Sequence, residues 1–305
     1  TLQRAGMGIA WVFPGQGSQK IGMAGPVLEL PGAYERFSFA SELLGRDLLS
    51  ICEADGTSSY GVLGELGRTR NSQPALFVVE SLLVDEMKHQ GRRANIVAGH
   101  SLGEFVALYA AEVIDLRTAL TLILKRSVLM SAARAGAMTA VIGFDRGELD
   151  ELVSNNPDVV IANDNSTSQA VLSGKPEAIS TVCSQLRCKK SIPLAVSGAF
   201  HSPFMAEASE AFNSELMSVS FSNAVTPVLS NTDPSPESDG TVLKRRLMAQ
   251  MTSGVRWRET MEQLEQCGID TAVEIGPGAV LSGLIKRSCQ SVSTAQISSA
   301  ADLGL

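Results

Sequence analysis

The chain has 305 residues, of which 44% are hydrophobic and 19% are charged, and its formal net charge is -7 at pH 7. A chain of this length is expected to form about two domains and to bury about three quarters of its unfolded surface. Its composition excludes disordered, collagen-like and coiled-coil proteins. The net acidity argues against non-specific binding to nucleic acid or to an anionic membrane, which normally uses a basic face.

The chain has no apolar run near the roughly 18 residues that cross a bilayer, and residues 1–8 lack the pattern of a signal peptide. We therefore expect a soluble cytoplasmic protein, or a plastid-stroma protein whose transit peptide has been removed. The five cysteines are scattered, and this spacing predicts reduced thiols and no metal site. The three histidines limit any histidine-dependent catalysis to His89, His100 or His201.

The first predicted strand, residues 9–13, is apolar and runs into a turn-rich loop at residues 14–19. This loop does not fit a phosphate cradle, because Met23 stands where a P-loop requires lysine. A helix is predicted from Gln73 and Pro74 to Gly91. His89 falls on its polar side in the last turn, so we interpret it as a solvated residue at the negative end of the helix dipole.

A short apolar run at residues 96–98 meets Gly-His-Ser-Leu-Gly at residues 99–103, and a helical stretch follows. A strand, a sharp glycine-flanked turn and a helix are the context of a nucleophile elbow. The start of such a helix aims N–H groups at a developing oxyanion, which makes Ser101 the candidate nucleophile. A merely structural turn is the alternative. We expect the neighbouring His100 to support the turn by packing.

The elements predicted from residue 137 to residue 203 are short and follow the order βαββαβ of a ferredoxin-like unit. Strands are predicted at residues 138–143, 159–162, 170–173 and 191–196, and helices at residues 146–154 and 176–186. The predicted architecture is therefore α/β, with a small domain at residues 137–203 inserted into a large domain of residues 1–136 and 204–305.

The second half of the large domain is predicted to be mainly helical. Helices are predicted at residues 203–217, around Gln250, at 258–267 and at 280–287, and a strand at 271–275. The tail from Ser288 is rich in serine and alanine, and we expect it to be loosely held.

The best candidate for a general base is His201, which follows a predicted strand at the crossing between the two domains, where clefts commonly form. A structural histidine is the alternative. More than a hundred residues follow His201, and this is not the layout of an ordinary α/β-hydrolase, in which the histidine comes near the end of the chain.

A single arginine stands in the apolar stripe of the helix that follows Asp115, a candidate helix cap. Arg126 has apolar neighbours at i-4, i-3, i+3 and i+4, so its guanidinium is predicted to be buried. An unpaired buried guanidinium is strongly destabilising, so an anion should face it. The pattern leaves two alternatives of equal weight, a substrate carboxylate and an internal Asp or Glu.

Five segments stand in a recognisable order along the chain. They are FPGQGSQ at residues 13–19, GHSLGE at 99–104, Arg126, GAFHS at 198–202 and EIGPG at 274–278. In order and spacing the chain resembles, over nearly its whole length, the malonyl-CoA:acyl-carrier-protein transacylases of type II fatty-acid synthesis. The resemblance implies ping-pong acyl transfer, in which Ser101, deprotonated by His201, forms a malonyl-serine ester that the phosphopantetheine thiol of acyl carrier protein then attacks.

The resemblance also implies roles for residues around this serine. The backbone N–H groups of Gln16 and Leu102 would form the oxyanion hole. Arg126 would hold the malonyl carboxylate. The main-chain carbonyl of Gln250 would orient His201, so that no acidic third member of a triad is needed.

Two further positions follow from the resemblance. Phe200 matches the malonyl-selective form of the family, because a bulky ring leaves little room for a branched acyl group. Asn165 matches an asparagine near the cleft. The implied enzyme has a large α/β-hydrolase-like domain with a parallel sheet and needs no cofactor, since the coenzyme A thioester is its substrate. Its implied partners are malonyl-CoA and acyl carrier protein, and we expect a monomer with no nucleic-acid or membrane partner.

Two other functions remain as alternatives. A patatin-like acyl hydrolase has a serine elbow in an α/β domain but usually pairs the serine with an aspartate, so Arg126 and His201 argue against it. A catalytically silent carrier-binding module would not need Ser101, His201 and both oxyanion loops intact.

Overall fold

The computed structural model describes residues 8–54 and 63–305 of the chain. In this part of the chain a five-stranded parallel sheet forms the centre of the fold. Its strands in spatial order are β7 (Val228–Leu229), β2 (Ile96–Gly99), β1 (Gly8–Phe13), β8 (Ile269–Ile275) and β9 (Ser293–Ile297). The predicted absence of a signal peptide concerns residues 1–8, of which only Gly8 lies within the described residues.

Helices cover both faces of this sheet, so β1 and β2 are apolar throughout. One face carries α1 (Ala33–Leu44), α2 (Leu48–Glu53), α3 (Thr69–His89), α4 (Gly103–Ala110), α5 (Leu116–Ser131), α8 (Ala206–Met217) and α9 (Gly240–Gln250). The other face carries α10 (Trp257–Gln266) and α11 (Val280–Ser288). Alternate residues of β1 enter the two cores, with Trp11 and Phe13 on the first face and Ala10 and Val12 on the second.

A second, antiparallel sheet lies beside the first. Its strands in spatial order are β4 (Val159–Ser166), β5 (Gln169–Gly174), β3 (Ala137–Ile142) and β6 (Lys190–Pro193). Helices α6 (Arg146–Ser154) and α7 (Pro176–Gln185) pack on it around a separate apolar core that includes Leu149, Leu172 and Val182. The predicted α/β class, with a parallel sheet and a separate small sheet, is confirmed.

One edge of the small sheet is fixed to the large part of the molecule through β4, which runs four residues beyond its predicted end at Ala162. The Val255 N–H donates to the carbonyl of Ala162 at 2.7 Å, and the Asp164 N–H donates to the carbonyl of Val255 at 2.9 Å. The buried Asp164 carboxylate also pairs with Arg258 on α10 at 3.0 Å and with Arg146 on α6 at 2.6 Å. These contacts keep β4 beside the loop that precedes α10.

The helix predicted to open at Gln73 and Pro74 begins four residues earlier, at Thr69, and Pro74 lies inside it. A proline cannot donate to the carbonyl four residues before it, here that of Arg70. A guanidinium N–H of Arg46 donates to this carbonyl instead, at 3.3 Å. The replacement donor comes from a distant segment, so the local pattern could not predict that the helix tolerates the proline.

The prediction of a loosely held tail after Ser288 is wrong. Residues 293–297 form β9, which pairs in parallel with β8 and places Ile297 in the core. The Ala300 N–H donates to the carbonyl of Pro26 at 2.8 Å, and Leu303 is buried. An edge strand is held by its backbone ladder and a few apolar contacts, so its composition of serine and alanine was misleading.

Among residues 8–54 and 63–305, no helix has both the length and the apolar character that a membrane span requires.

Candidate active site

The candidate nucleophile Ser101 lies at the carboxyl edge of the parallel sheet, in the turn between β2 and α4. Its φ of 55° is in the left-handed region, which residues other than glycine rarely adopt. A Cβ on Gly99 would lie 1.9 Å from the carbonyl carbon of Gly103, and a Cβ on Gly103 would lie 2.1 Å from the carbonyl oxygen of Phe13. Close backbone approach therefore requires both glycines, and the turn has the strand-turn-helix geometry that the sequence predicts.

The candidate base His201 is brought to this serine across the two parts of the molecule. The Ser101 Oγ is 2.8 Å from His201 Nε2, and His201 Nδ1 is 3.0 Å from the main-chain oxygen of Gln250. A carbonyl can only accept, so Nδ1 carries the proton and Nε2 is free to accept one from Ser101. Burial, reinforced by the nearby Arg126 guanidinium, lowers the pKa of His201 to about 3, so the ring is neutral at neutral pH.

The Arg126 side chain is 1% exposed and points at the serine. It donates to Gln73 Oε1 at 2.7 Å, to Gln250 Oε1 at 3.0 Å and to Ser101 Oγ at 3.1 Å. No ion pair between described residues includes Arg126. The internal ion pair, one of the two alternatives that the sequence left open, is therefore not formed there.

Among the described residues, the carboxyl group of Glu104 acts on Arg126, and it does so through space. Burial raises the pKa of Glu104 to about 7, although the hydrogen bond from Asn231 and the charge of Arg126 oppose the rise. Burial also lowers the pKa of Arg126 to about 10. The guanidinium still carries its charge at neutral pH and is held mainly by neutral amide groups, which leaves it able to bind an added carboxylate.

The loop at residues 14–19 packs directly on the nucleophile turn. A Cβ on Gly15 would lie 2.2 Å from the carbonyl oxygen of His100, which shows how closely the two backbones approach. The Gln16 side chain is anchored to Thr69 Oγ1 at 2.9 Å. Within the described residues, the backbone N–H groups of Gln16 and Leu102 make no hydrogen bond and so are available as donors.

The other two histidines, His100 and His89, make no hydrogen bond to the Ser101 hydroxyl in the described structure. His100 Nε2 is 2.8 Å from Asn165 Oδ1 on β4, and the His100 ring lies 5.6 Å from that of Trp257. Burial lowers the pKa of His100. The predicted packing role therefore takes the form of a link between the nucleophile turn and the small sheet. His89 is exposed at the end of α3, as predicted.

The Phe200 ring is buried beside the crossing from the small sheet to the large one. A Cβ on Gly198 would lie 2.7 Å from Phe200 and 2.7 Å from Ala133 Cβ. His201, the next residue, has a φ of 55°, so the two side chains leave the backbone at a constrained turn. The ring therefore packs on Gly198, which itself lies against Ala133 in the segment that follows α5.

Two residues of the site were missed by sequence reasoning. Asn231 accepts a hydrogen bond from the Ser101 N–H at 2.9 Å and donates to the carbonyl of Gly99 at 2.6 Å. Gln73 holds Arg126. A signal for Asn231 was present, because polar residues that follow the carboxyl ends of parallel strands often line a site, and Asn231 comes two residues after β7.

Comparison with known proteins identifies the class of protein. The family model described as the acyl transferase domain matches residues 10–305. A malonyl CoA-acyl carrier protein transacylase of Synechocystis sp. is 44% identical over 297 residues, which cover 97% of this chain and 99% of the relative. The chain belongs to the malonyl CoA-acyl carrier protein transacylase family of acyl transferases, so the resemblance inferred from the sequence is confirmed.

Solved structures agree in fold. The crystal structure of the Synechocystis sp. PCC 6803 malonyl-CoA:ACP transacylase has a TM-score of 0.93 at 43% identity and covers 98% of this chain and 99% of its own. PlMCAT, a malonyl-transacylase solved in complex with AntF, its type II PKS acyl-carrier protein, has a TM-score of 0.89 at 33% identity over 97% of both chains.

Proposed function

We propose that this protein transfers a malonyl group from malonyl-CoA to the phosphopantetheine thiol of acyl carrier protein and thereby supplies fatty-acid chain elongation. The observation that carries the proposal is that Ser101 Oγ lies 2.8 Å from the candidate base His201 and 3.1 Å from Arg126, a cation with no ion-pair partner among residues 8–54 and 63–305. A nucleophile, a base and a carboxylate-binding group are therefore together in one buried site. The names of the relatives, which specify this reaction, give independent support.

In the proposed first half-reaction, His201 Nε2 accepts the proton of Ser101 as Oγ attacks the thioester carbonyl carbon. The backbone N–H groups of Gln16 and Leu102 stabilise the oxyanion of the tetrahedral intermediate. The carbon–sulfur bond then breaks, the coenzyme A sulfur takes the proton from His201, and a malonyl-serine ester remains. The hydrogen bond from Nδ1 to the Gln250 carbonyl stabilises the imidazolium while it exists.

The second half-reaction uses the same groups with a different thiol. His201 takes the proton of the phosphopantetheine thiol, whose sulfur attacks the ester carbonyl. The carbon–oxygen bond breaks, and Ser101 Oγ regains the proton. Because both half-reactions pass through one ester, the proposal predicts ping-pong kinetics.

Malonyl selectivity follows from the place of Arg126. A single methylene separates the two carboxyl carbons of a malonyl group, so a cation that binds the free carboxylate has to lie close to the nucleophile. The 3.1 Å from Arg126 to Ser101 Oγ meets this requirement. The planar guanidinium can bind both oxygens of the carboxylate, which fixes the acyl group for attack.

Replacing Phe200 with serine should relax the selectivity against branched acyl groups, because the buried ring occupies space beside His201. We expect the ratio of methylmalonyl to malonyl transfer to rise by about 10-fold, the effect of one methyl group in a tight pocket. Competition between the two thioesters, read by mass spectrometry of the acylated protein, measures this ratio. Phe204→Ser is the matched control, since Phe204 is 48% exposed and should not affect the ratio. An unchanged ratio in Phe200→Ser would show that Phe200 does not determine the selectivity.

We also infer the domain organisation from the two sheets. The strand order β4-β5-β3-β6, the antiparallel pairing and the separate apolar core support a ferredoxin-like domain at residues 137–203. The two crossings lie side by side, since the Gly136 N–H donates to the carbonyl of Ser197 at 3.2 Å, as expected for an insertion. Residues 1–136 and 204–305 would then form one α/β-hydrolase-like domain.

Incubation with malonyl-CoA followed by mass spectrometry tests the proposed activity. We expect a malonyl adduct on Ser101 that is discharged by acyl carrier protein, and no adduct in Ser101→Ala. Rapid release of free malonate from the wild-type protein would instead support an acyl hydrolase, and the absence of any adduct would support a silent carrier-binding module. The lack of a cofactor, the monomeric state and the cytoplasmic location stay predictions.

A further inference from the structure

The side-chain amide of Asn231 joins both sides of the nucleophile turn. Its Nδ2 donates to the carbonyl of Gly99 at 2.6 Å, and its Oδ1 accepts from the N–H of Ser101 at 2.9 Å. Both bonds are buried or half-buried, and Asn231 itself is 1% exposed. A serine in the left-handed region is strained, and such a conformation persists only where its surroundings hold it. Asn231 supplies two of the bonds that do so.

The same amide contacts the residue that orients the base. Gln250 Nε2 donates to Asn231 Oδ1 at 3.3 Å and to the carbonyl of Ser101 at 3.0 Å. Gln250 also accepts from Arg126 and holds His201 through its main-chain oxygen. One buried network thus fixes the nucleophile, the base and the cation relative to one another.

A buried carboxyl group holds the backbone of Asn231. Glu104 is 1% exposed in the first turn of α4, three residues after Ser101, and its Oε1 accepts from the Asn231 N–H at 2.6 Å. Arg126 on α5 and Arg246 on α9 are the charged groups that act on it. The bond requires an oxygen acceptor and does not require a negative charge.

We propose that Asn231 is a positioning residue for Ser101, held in place by a hydrogen bond to Glu104, so that the rate of malonyl-serine formation depends on both side chains. This inference rests on the proposed acyl transfer at Ser101. Neither side chain takes part in the bonds made or broken. Both act through the geometry of the nucleophile turn.

Single-turnover acylation of Asn231→Ala by malonyl-CoA tests the inference. We expect the maximal rate to fall by about 10- to 100-fold, the effect of leaving the Ser101 N–H and the Gly99 carbonyl without a partner. The malonyl-CoA concentration at half-maximal rate should change by less than about threefold, because Arg126 keeps its hydrogen bond to Gln73. A wild-type maximal rate in Asn231→Ala would overturn the inference.

The matched control is Asn71→Ala. Asn71 is equally buried and also uses its amide in both directions, accepting from Arg46 at 2.9 Å and donating to the carbonyl of Glu65 at 2.8 Å. We expect it to lower the unfolding temperature without slowing acylation. If Asn71→Ala slows acylation as much as Asn231→Ala does, the effect reflects general destabilisation and the inference fails.

A second pair of variants keeps the inference testable if Asn231→Ala does not fold. Glu104→Gln retains the oxygen acceptor and should acylate within about threefold of the wild-type rate, whereas Glu104→Met removes it and should be slower by about 10-fold or more. Equal losses in the two variants would mean that Glu104 acts by its charge on Arg126, which overturns the hydrogen-bond role. A wild-type protein that forms no adduct would overturn the proposed function and this inference together.

Discussion

Arg126→Ala is expected to reduce malonyl transfer by about 10²- to 10³-fold, the usual effect of removing one partner of a buried charge pair. Acetyl transfer should be kept or increased, because the acetyl group has no free carboxylate to bind the guanidinium. Single-turnover acylation with malonyl-CoA and acetyl-CoA in parallel measures the two rates. The change in their ratio reports the contact between Arg126 and the malonyl carboxylate.

Two further variants make the Arg126 result interpretable. Arg117→Ala removes an exposed arginine from the same helix, where it lies over the Phe39 ring, and should leave both rates unchanged. Arg126→Lys keeps a positive charge but loses the planar fork, so its malonyl transfer should fall between those of the wild type and Arg126→Ala. Equal losses of malonyl and acetyl transfer in Arg126→Ala would contradict carboxylate binding.

His201→Ala is expected to slow malonyl-serine formation by about 10⁴-fold or more, the scale seen when a nucleophilic serine loses its base. Among the described residues, His201 is the only histidine whose ring lies within hydrogen-bond distance of Ser101 Oγ, at 2.8 Å. His89→Ala is the control, since His89 is exposed at the end of α3 and should leave the rate unchanged. Near-normal acylation in His201→Ala would exclude it from the mechanism.

The pH dependence tests the state of the same histidine. Burial and Arg126 lower the pKa of His201 to about 3, so its neutral, proton-accepting form persists as the pH falls from 8 to 5. A histidine with an unperturbed pKa near 6.5 would lose half of its neutral form at that pH. The acylation rate should therefore show no inflection near pH 6.5. The pH profile should be measured in the Glu104→Gln variant, because Glu104 has a pKa of about 7 and its own titration would overlap the range of interest.

Local sequence patterns were enough to predict the features of this protein that are set by residues close together in the chain. The period of α5 predicted the burial of Arg126, glycines at 99 and 103 predicted the sharp turn at Ser101, and Asp115 was identified as a helix cap. Each of these features is set within a few residues, by helix periodicity, by steric contact of the backbone or by capping hydrogen bonds. For that reason the sequence alone predicts the class of the fold and the candidate nucleophile.

The hydrogen bonds that Asn231 and Gln73 make in the site were decided by the tertiary structure alone. Asn231 reaches Ser101 and Gln73 reaches Arg126 from segments far apart in the chain, and the polar character of these two side chains does not specify a partner. The tail was misjudged for the same reason, since β9 is held by pairing with β8 and not by its own composition. Long-range hydrogen bonds depend on which segments the fold brings together, whereas helix periods and glycine turns depend only on adjacent residues.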